Sequence, residues 1–235
     1  MDQSSADTFT IIACCMRTGM LGVAMATRDL AVGSRCPHAM ASIGAVATQA
    51  NTDPRLGYTG LRLLQLGFSA TKVLEELAGS DPYIEGRQLA VIDRNGLAAA
   101  RTGAKNRAWA GHIIGPGYVA MGNALLGEHV NVAIQKSFLE NEHEDLEERM
   151  MRAIEAGRDA GGQHGGQRSA AMKVYDREEF PRVDLRVDEH TEPVAEMRRL
   201  LEKYKPLIPY FNARAQNPNI PTFDVWLQEQ GKAPV

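Results

Sequence analysis

Two runs of β-favouring residues, TFTIIACC (8–15) and MLGVAMAT (20–27), stand four residues apart, with Met16, Arg17, Thr18 and Gly19 between them. A parallel return needs a crossover of about a dozen residues or more, so this spacing admits only an antiparallel hairpin. RQLAVID (87–93) and LAAAR (97–101) flank Arg94, Asn95 and Gly96 in the same way, and Asn-Gly is a hairpin signal. SIGAVATQA (42–50), GYVAMGN (117–123), RSAAMKVYD (168–176) and RVDLRVD (182–188) read as further strands. AVGSRCPHAM (31–40) reads as an irregular connection and NTDPRLG (51–57) as a polar loop.

Helical patterns separate these strands. In SATKVLEELAG (69–79), preceded by YTGLRLLQLG, Ser69 is placed to cap, and Val73, Leu74 and Leu77 share one face. Amphipathic patterns predict helices over 127–141 and 144–159, packed on one outer face of a sheet. Glu144, Glu147 and Glu148 read as a solvated first turn that complements the helix dipole. EPVAEMRRLLEKY (192–204) is a further helix. The order strands, helix pair, strands, helix pair, strands, helix predicts an α/β chain of the α+β type, with two largely antiparallel sheets covered by helices. After residue 203, Pro206, Pro209, Pro218, Pro221 and Pro234 suggest an extended arm over 204–235. Its Tyr210, Phe211, Phe223 and Trp226 call for a packing partner, either its own domain or a neighbour in a homodimer or larger homo-oligomer.

With 26 basic and 29 acidic residues the net charge is −3, which lacks the basic excess that nucleic acid demands and leaves a small-molecule substrate as the expected partner. No run of 18 apolar residues marks a membrane span. MDQSSADTF has neither a basic nor an apolar segment of the secretory kind, and the three cysteines lack CxxC spacing, so a reducing cytoplasm is expected. There is no phosphate-binding loop, no HExxH and no Cys/His zinc spacing, so neither metal nor cofactor is expected. GPGYVAMG (115–122) misses the dinucleotide-loop spacing. His164 stands out among six histidines because AGGQHGGQ (160–167), with four glycines in eight residues, must be a loop.

The phrases TFTIIA, LGVAMATRDLAVGS, GAVATQANTDPRLGYTGLRLLQLG, RQLAVID, AWAGHIIGPGYVAMGNALLG, RMMRAIEAGRDAGG, RSAAMKVY and VDLRVDEHTEPVAEMRRLL occur in that order. Together, over residues 8 to 203, they resemble the bacterial family known as domain of unknown function 1028, placed in the N-terminal-nucleophile (Ntn) hydrolase superfamily. The resemblance implies a four-layer α/β/β/α sandwich with two antiparallel sheets inside. It also implies that the chain opens at Thr8, so that residues 1–7 form an extension to be removed. In the family's glycine-rich loop an acid stands where this chain has Gln163, and the arginine is shifted here to Arg168.

An N-terminal threonine supplies a hydroxyl nucleophile and, in its own α-amine (pKa about 8), the base that activates it. That reading makes Thr8 the nucleophile of an amidohydrolase acting on a C–N bond in a small metabolite; the rival reading is a catalytically silent metabolite binder on the same fold. Arg28, at the end of the second strand, returns beside Thr8 and would lower the amine pKa or grip a substrate carboxylate. Asn123, at the end of GYVAMGN, is a candidate oxyanion donor. Thr48, Gln49 and Asn51, closing the small-residue strand, and His164, Gln167 and Ser169, in and after the glycine-rich loop, are candidates to contact substrate. Cys14 and Cys15 are rival nucleophiles, but mid-strand cysteines are usually small core residues.

Overall fold

The computed structural model describes residues 7–231. Of the expected N-terminal extension only Asp7 falls among them. The chain divides into two compact units, Met1–Met197 and Arg198–Val235.

The first unit contains β1 (Thr8–Cys14), β2 (Leu21–Thr27), β3 (Pro37–Met40), β4 (Gly44–Ala50), α1 (Pro54–Gln65), α2 (Ala70–Ser80), β5 (Arg87–Asp93), β6 (Ala98–Thr102), β7 (Gly111–Gly115), β8 (Tyr118–Asn123), α3 (Glu128–Glu140), α4 (Leu146–Asp159), β9 (Ser169–Tyr175) and β10 (Val183–Val187). Six strands form one sheet in the order β10-β9-β2-β1-β8-β7, and four form the other in the order β3-β4-β5-β6. All neighbouring strands pair antiparallel. α3 and α4 cover the outer face of the larger sheet, and α1 and α2 that of the smaller, giving four α/β/β/α layers.

Strand alternation builds two of the interfaces. Ile12, Val23, Met25, Ala47, Ile92 and Met121 point between the sheets. Val46, Leu89 and Val91, one position out of step, meet Leu61, Val73 and Leu77 of α1 and α2. β1 and β2 are buried along their whole length. Covering on both faces is why they read as unbroken small and apolar runs and not as alternating ones.

Three local expectations are corrected. The stretch read as an irregular connection contains β3, whose Pro37 sits at the first position of an edge strand, where its missing N–H is tolerated. The stretch read as a polar loop contains the start of α1: Asp53 caps it by accepting from the Arg55 N–H at 3.0 Å, and Pro54 opens its first turn. Glu147 and Glu148 are not solvated. Glu147 is fully buried and takes the Arg182 guanidinium at 2.9 and 3.1 Å, while Glu148 receives Arg152 at 2.8 Å.

The second unit is helical where its prolines suggested an extended arm. α5 (Pro193–Tyr204) crosses the division, and α6 (Ile208–Gln216) and α7 (Phe223–Glu229) follow. Pro209 lies in the first turn of α6, the one place in a helix where a missing N–H costs nothing. The Tyr210 ring meets Phe223 at 5.3 Å, Trp226 at 5.7 Å and Phe211 at 5.9 Å, and its hydroxyl donates to the Pro221 carbonyl at 3.1 Å. Among the described residues no helix is long and apolar enough to cross a membrane.

Candidate active site

Register brings one end of four strands into line. Asn123 on β8, Thr8 on β1, Thr27 on β2 and Ser169 on β9 stand directly opposite one another in that order. Directly paired residues share a face, and theirs is the face toward the second sheet, the same as Val119, Met25 and Ala171. All four are at least 97% buried.

The carbonyl of Asp7, which precedes Thr8, is the most heavily bonded acceptor at this end. It receives the Thr27 hydroxyl at 2.7 Å, the Gln163 side-chain amide at 2.8 Å and the Arg28 backbone N–H at 3.2 Å. The Thr8 hydroxyl in turn donates to Thr27 Oγ1 at 3.0 Å. Thr8, Thr27 and the Asp7 carbonyl therefore form a short relay of hydroxyls ending on the peptide bond in front of Thr8. Gln163 is 2% exposed, and its amide oxygen accepts from Gln167 at 3.4 Å, which turns its nitrogen toward Asp7. The loop passes close at two glycines with left-handed φ. A Cβ on Gly162 would stand 2.6 Å from Gln167 Nε2, and one on Gly165 would stand 2.9 Å from an Arg28 guanidinium nitrogen.

The second sheet supplies an adjoining buried network. Gln49 and Gln88 face each other on β4 and β5. Gln49 accepts from the Thr10 hydroxyl at 2.5 Å, donates to Gln88 Oε1 at 2.7 Å, and reaches the Thr8 carbonyl at 3.5 Å. Gln88 Oε1 also accepts from Asn123 Nδ2 at 3.1 Å. Its Nε2 lies within 2.9–3.0 Å of the carbonyls of Gly122 and Gly111 and the hydroxyl of Thr102, which meets His112 Nδ1 at 2.9 Å. Gln88 thus ties the two sheets together beneath Thr8.

The nine candidates divide accordingly. Thr8, Asn123 and Gln49 converge, and Gln167 joins them through Gln163. Arg28 contributes its backbone N–H, while its exposed side chain lies against Gly165. Thr48 points the other way, toward the α1 side, with its hydroxyl 3.5 Å from the Asp53 carbonyl; it alternates with Gln49 on the strand. Asn51 is exposed, its N–H bonded to the Gly86 carbonyl and its carbonyl bonded to the Arg87 guanidinium. His164 is exposed, and its N–H bonds the Ala124 carbonyl. Ser169, although in the row, gives its hydroxyl to the Asp29 carbonyl at 2.7 Å and accepts the Val32 N–H at 3.1 Å, so it pins the loop after β2. Thr27 and Gln88 carry no sequence signal of their own, and only the register across strands brings them in. Gln163 stands out in the sequence only as the place where the family's loop has an acid, and the course of that loop brings it to Asp7.

The two rival cysteines differ. Burial pushes the Cys14 thiol up to about 11. Burial acts on Cys15 in the same sense, but hydrogen bonds from Thr18 and Arg17 and the Arg149 guanidinium outweigh it and hold the thiol below its ordinary value. Cys15 is nonetheless 1% exposed and follows the end of β1 opposite to Thr8. Asp29, just beyond Thr27, has its carboxyl raised by burial and, among its neighbours, by Asp7, with Arg35, Arg168 and Arg28 opposing. The Asp7 carboxylate lies 3.5 Å from the Arg107 guanidinium. Among the described residues no group of three or more His, Cys, Asp or Glu side chains is arranged to hold a metal ion.

An α/β/β/α sandwich of two antiparallel sheets, with buried polar residues gathered at one end of its central strands, defines the class of protein. The chain belongs to the family of unknown function DUF1028, whose model matches residues 8–197. A crystal structure of protein SPO2555 from Silicibacter pomeroyi, of the same family, matches with a TM-score of 0.79 and 31% identity, covering 85% of this chain and 89% of that one. Anbu (ancestral beta-subunit) from Yersinia bercovieri matches with a TM-score of 0.42 and 12% identity over 91% of this chain and 99% of that one. No curated protein matches.

Proposed function

We propose that the protein is an Ntn-type amidohydrolase that cleaves a C–N bond in a small metabolite, with Thr8 as its nucleophile once the Asp7–Thr8 bond has been cut. The observation that carries this reading is the set of three donors on the Asp7 carbonyl, with the Thr8 hydroxyl two hydrogen bonds away through Thr27. Three donors on one carbonyl oxygen are what a developing oxyanion needs.

Maturation follows from the same atoms. Thr8 Oγ1 attacks the Asp7 carbonyl carbon; its proton passes to Thr27 Oγ1 as the Thr27 proton passes to the Asp7 oxygen, so that a neutral tetrahedral intermediate forms under the Gln163 and Arg28 donors. The C–N bond then breaks as the proton on that oxygen is carried to the departing Thr8 nitrogen, the carbonyl re-forms, and Asp7 is left as an ester on Thr8 Oγ1. Water hydrolyses the ester, restoring the hydroxyl and freeing the α-amine. In turnover that amine is the base, a substrate amide carbonyl takes the place of the Asp7 carbonyl, and Thr27, Gln163 and the Arg28 N–H serve again. Asn123, opposite Thr8, commits one amide N–H to Gln88 and offers its second to the site.

The test is a panel of small amides given to the processed chain. Thr8→Ala is expected to lower turnover by about 10⁴-fold or more, Thr8→Ser to keep part of it, and Cys14→Ala and Cys15→Ala to change little. A Thr8→Ala chain that hydrolyses an amide as well as the wild type overturns the proposal.

A further inference from the structure

The acyl side of the proposed reaction is already filled in this chain. In the reading above, on which this inference rests, the first carbonyl Thr8 attacks is that of Asp7. Any later substrate must present its own carbonyl to the same nucleophile and the same three donors. Its acyl group then radiates from the same point, so the Asp7 side chain marks where a substrate's acyl substituent goes.

That side chain is chemically specific. From its carbonyl carbon, Asp7 runs through two carbons to a carboxylate, which is the skeleton of a succinyl or aspartyl group. Asp7 is 1% exposed, and a carboxylate taken that far out of water requires a cation. Arg107 supplies one at 3.5 Å from Oδ1, and its side chain is 57% exposed, so it reaches the carboxylate from the solvent side. Arg107 lies far from Thr8 in sequence, yet the segment carrying it is fixed to the end of β8, because its carbonyl accepts the Ala124 N–H at 2.9 Å. It is therefore held at a fixed reach from the Thr8–Asn123 row.

We infer that the site takes amides whose acyl group ends in a carboxylate three bonds from the reacting carbonyl, succinyl-like or aspartyl-like, and that Arg107 is the specificity-determining residue. The leader residue Asp7 occupies this subsite until it is released.

Calorimetric titration tests this with succinamate, which carries the carboxylate, and succinamide, its neutral counterpart of the same length. A chain beginning at Thr8 is expected to bind succinamate at least about tenfold more tightly than succinamide. Arg107→Met is expected to erase that difference while leaving succinamide binding within about twofold, and Arg107→Lys to keep part of it. The full chain carrying Thr8→Ala, which cannot be cut, is expected to bind neither, because Asp7 fills the subsite. Equal affinities, no binding to the chain beginning at Thr8, or a preference that survives Arg107→Met would each overturn the inference. Hydrolysis of succinyl-4-nitroanilide and of its succinamoyl counterpart separates this result from the catalytic reading. A binding preference without hydrolysis of either leaves the subsite standing and removes the amidohydrolase; hydrolysis of both at equal rates does the reverse.

Discussion

A carbonyl oxygen has two lone pairs, and the Asp7 oxygen takes three donors from two segments: Thr27 and Arg28, adjacent at the end of β2, and Gln163 of the glycine-rich loop. An ordinary structural carbonyl is satisfied by one or two, and on the proposed function the third donor serves charge that develops there during the reaction. Removing one donor should therefore affect cutting far more than folding. Gln163→Ala and Thr27→Val are each expected to slow release of the leader by about 10²-fold. Leader release at wild-type rate in both would remove the oxyanion role. Gln88 is different, since it touches no reacting atom and acts by positioning. Gln88→Leu leaves the Gln49 and Asn123 amides without their common acceptor in a dry interior, and should cost about 3 kcal/mol or more in denaturant unfolding. A loss below about 1 kcal/mol would mean that water or a neighbour replaces it.

Elements were legible in the sequence where local chemistry decides them. The four-residue gap between TFTIIACC and MLGVAMAT fixed β1 and β2 as a hairpin, and Asn95-Gly96 did the same for β5 and β6. Where one residue serves a partner distant in sequence, local reading failed. Glu147 opens a helix and looks solvated, yet Arg182, 35 residues later, buries it. The candidate site divides along the same line. Thr8 was legible through the family resemblance, which opens the chain there, and Gln49 and Asn123 as polar residues closing their strands. Thr27, at the end of β2, and Gln88, near the start of β5, gain a role only from register between strands far apart in sequence. Thr48 shows the converse error: adjacent to Gln49 in sequence, it belongs to the opposite face. The Glu147–Arg182 pair gives this scale its prediction. Glu147→Ala leaves the half-buried Arg182 guanidinium without its main buried partner, and should lower stability by about 3 kcal/mol, measured by denaturant unfolding. A change under about 1 kcal/mol would show that Asp145, 3.3 Å from the same guanidinium, suffices.

At the scale of the molecule, layers pressed face to face place polar groups where water is scarce, and two histidines record it, His112 on the face toward the second sheet and His38 against Gly57 and Tyr58 of α1. Burial lowers the pKa of His112, and burial likewise lowers that of His38 against the opposing hydrogen bond to the Arg35 carbonyl. Their unfolded value is 6.5. As pH falls below 6.5 the unfolded chain takes up these protons before the folded one, so stability declines on the acid side and is unaffected by them above about pH 7.5. The melting temperature should fall from pH 7 toward pH 5, and the His38→Gln/His112→Gln double variant should flatten that slope. An equally steep slope in the double variant would assign it to other groups. The central claim, however, concerns one bond. It is tested most directly by the intact mass of the full chain as purified after expression without tags. The account predicts a mass beginning at Thr8 for the wild type and the uncut mass for Thr8→Ala. A wild-type chain that keeps Asp7 joined to Thr8 while hydrolysing amides would contradict it.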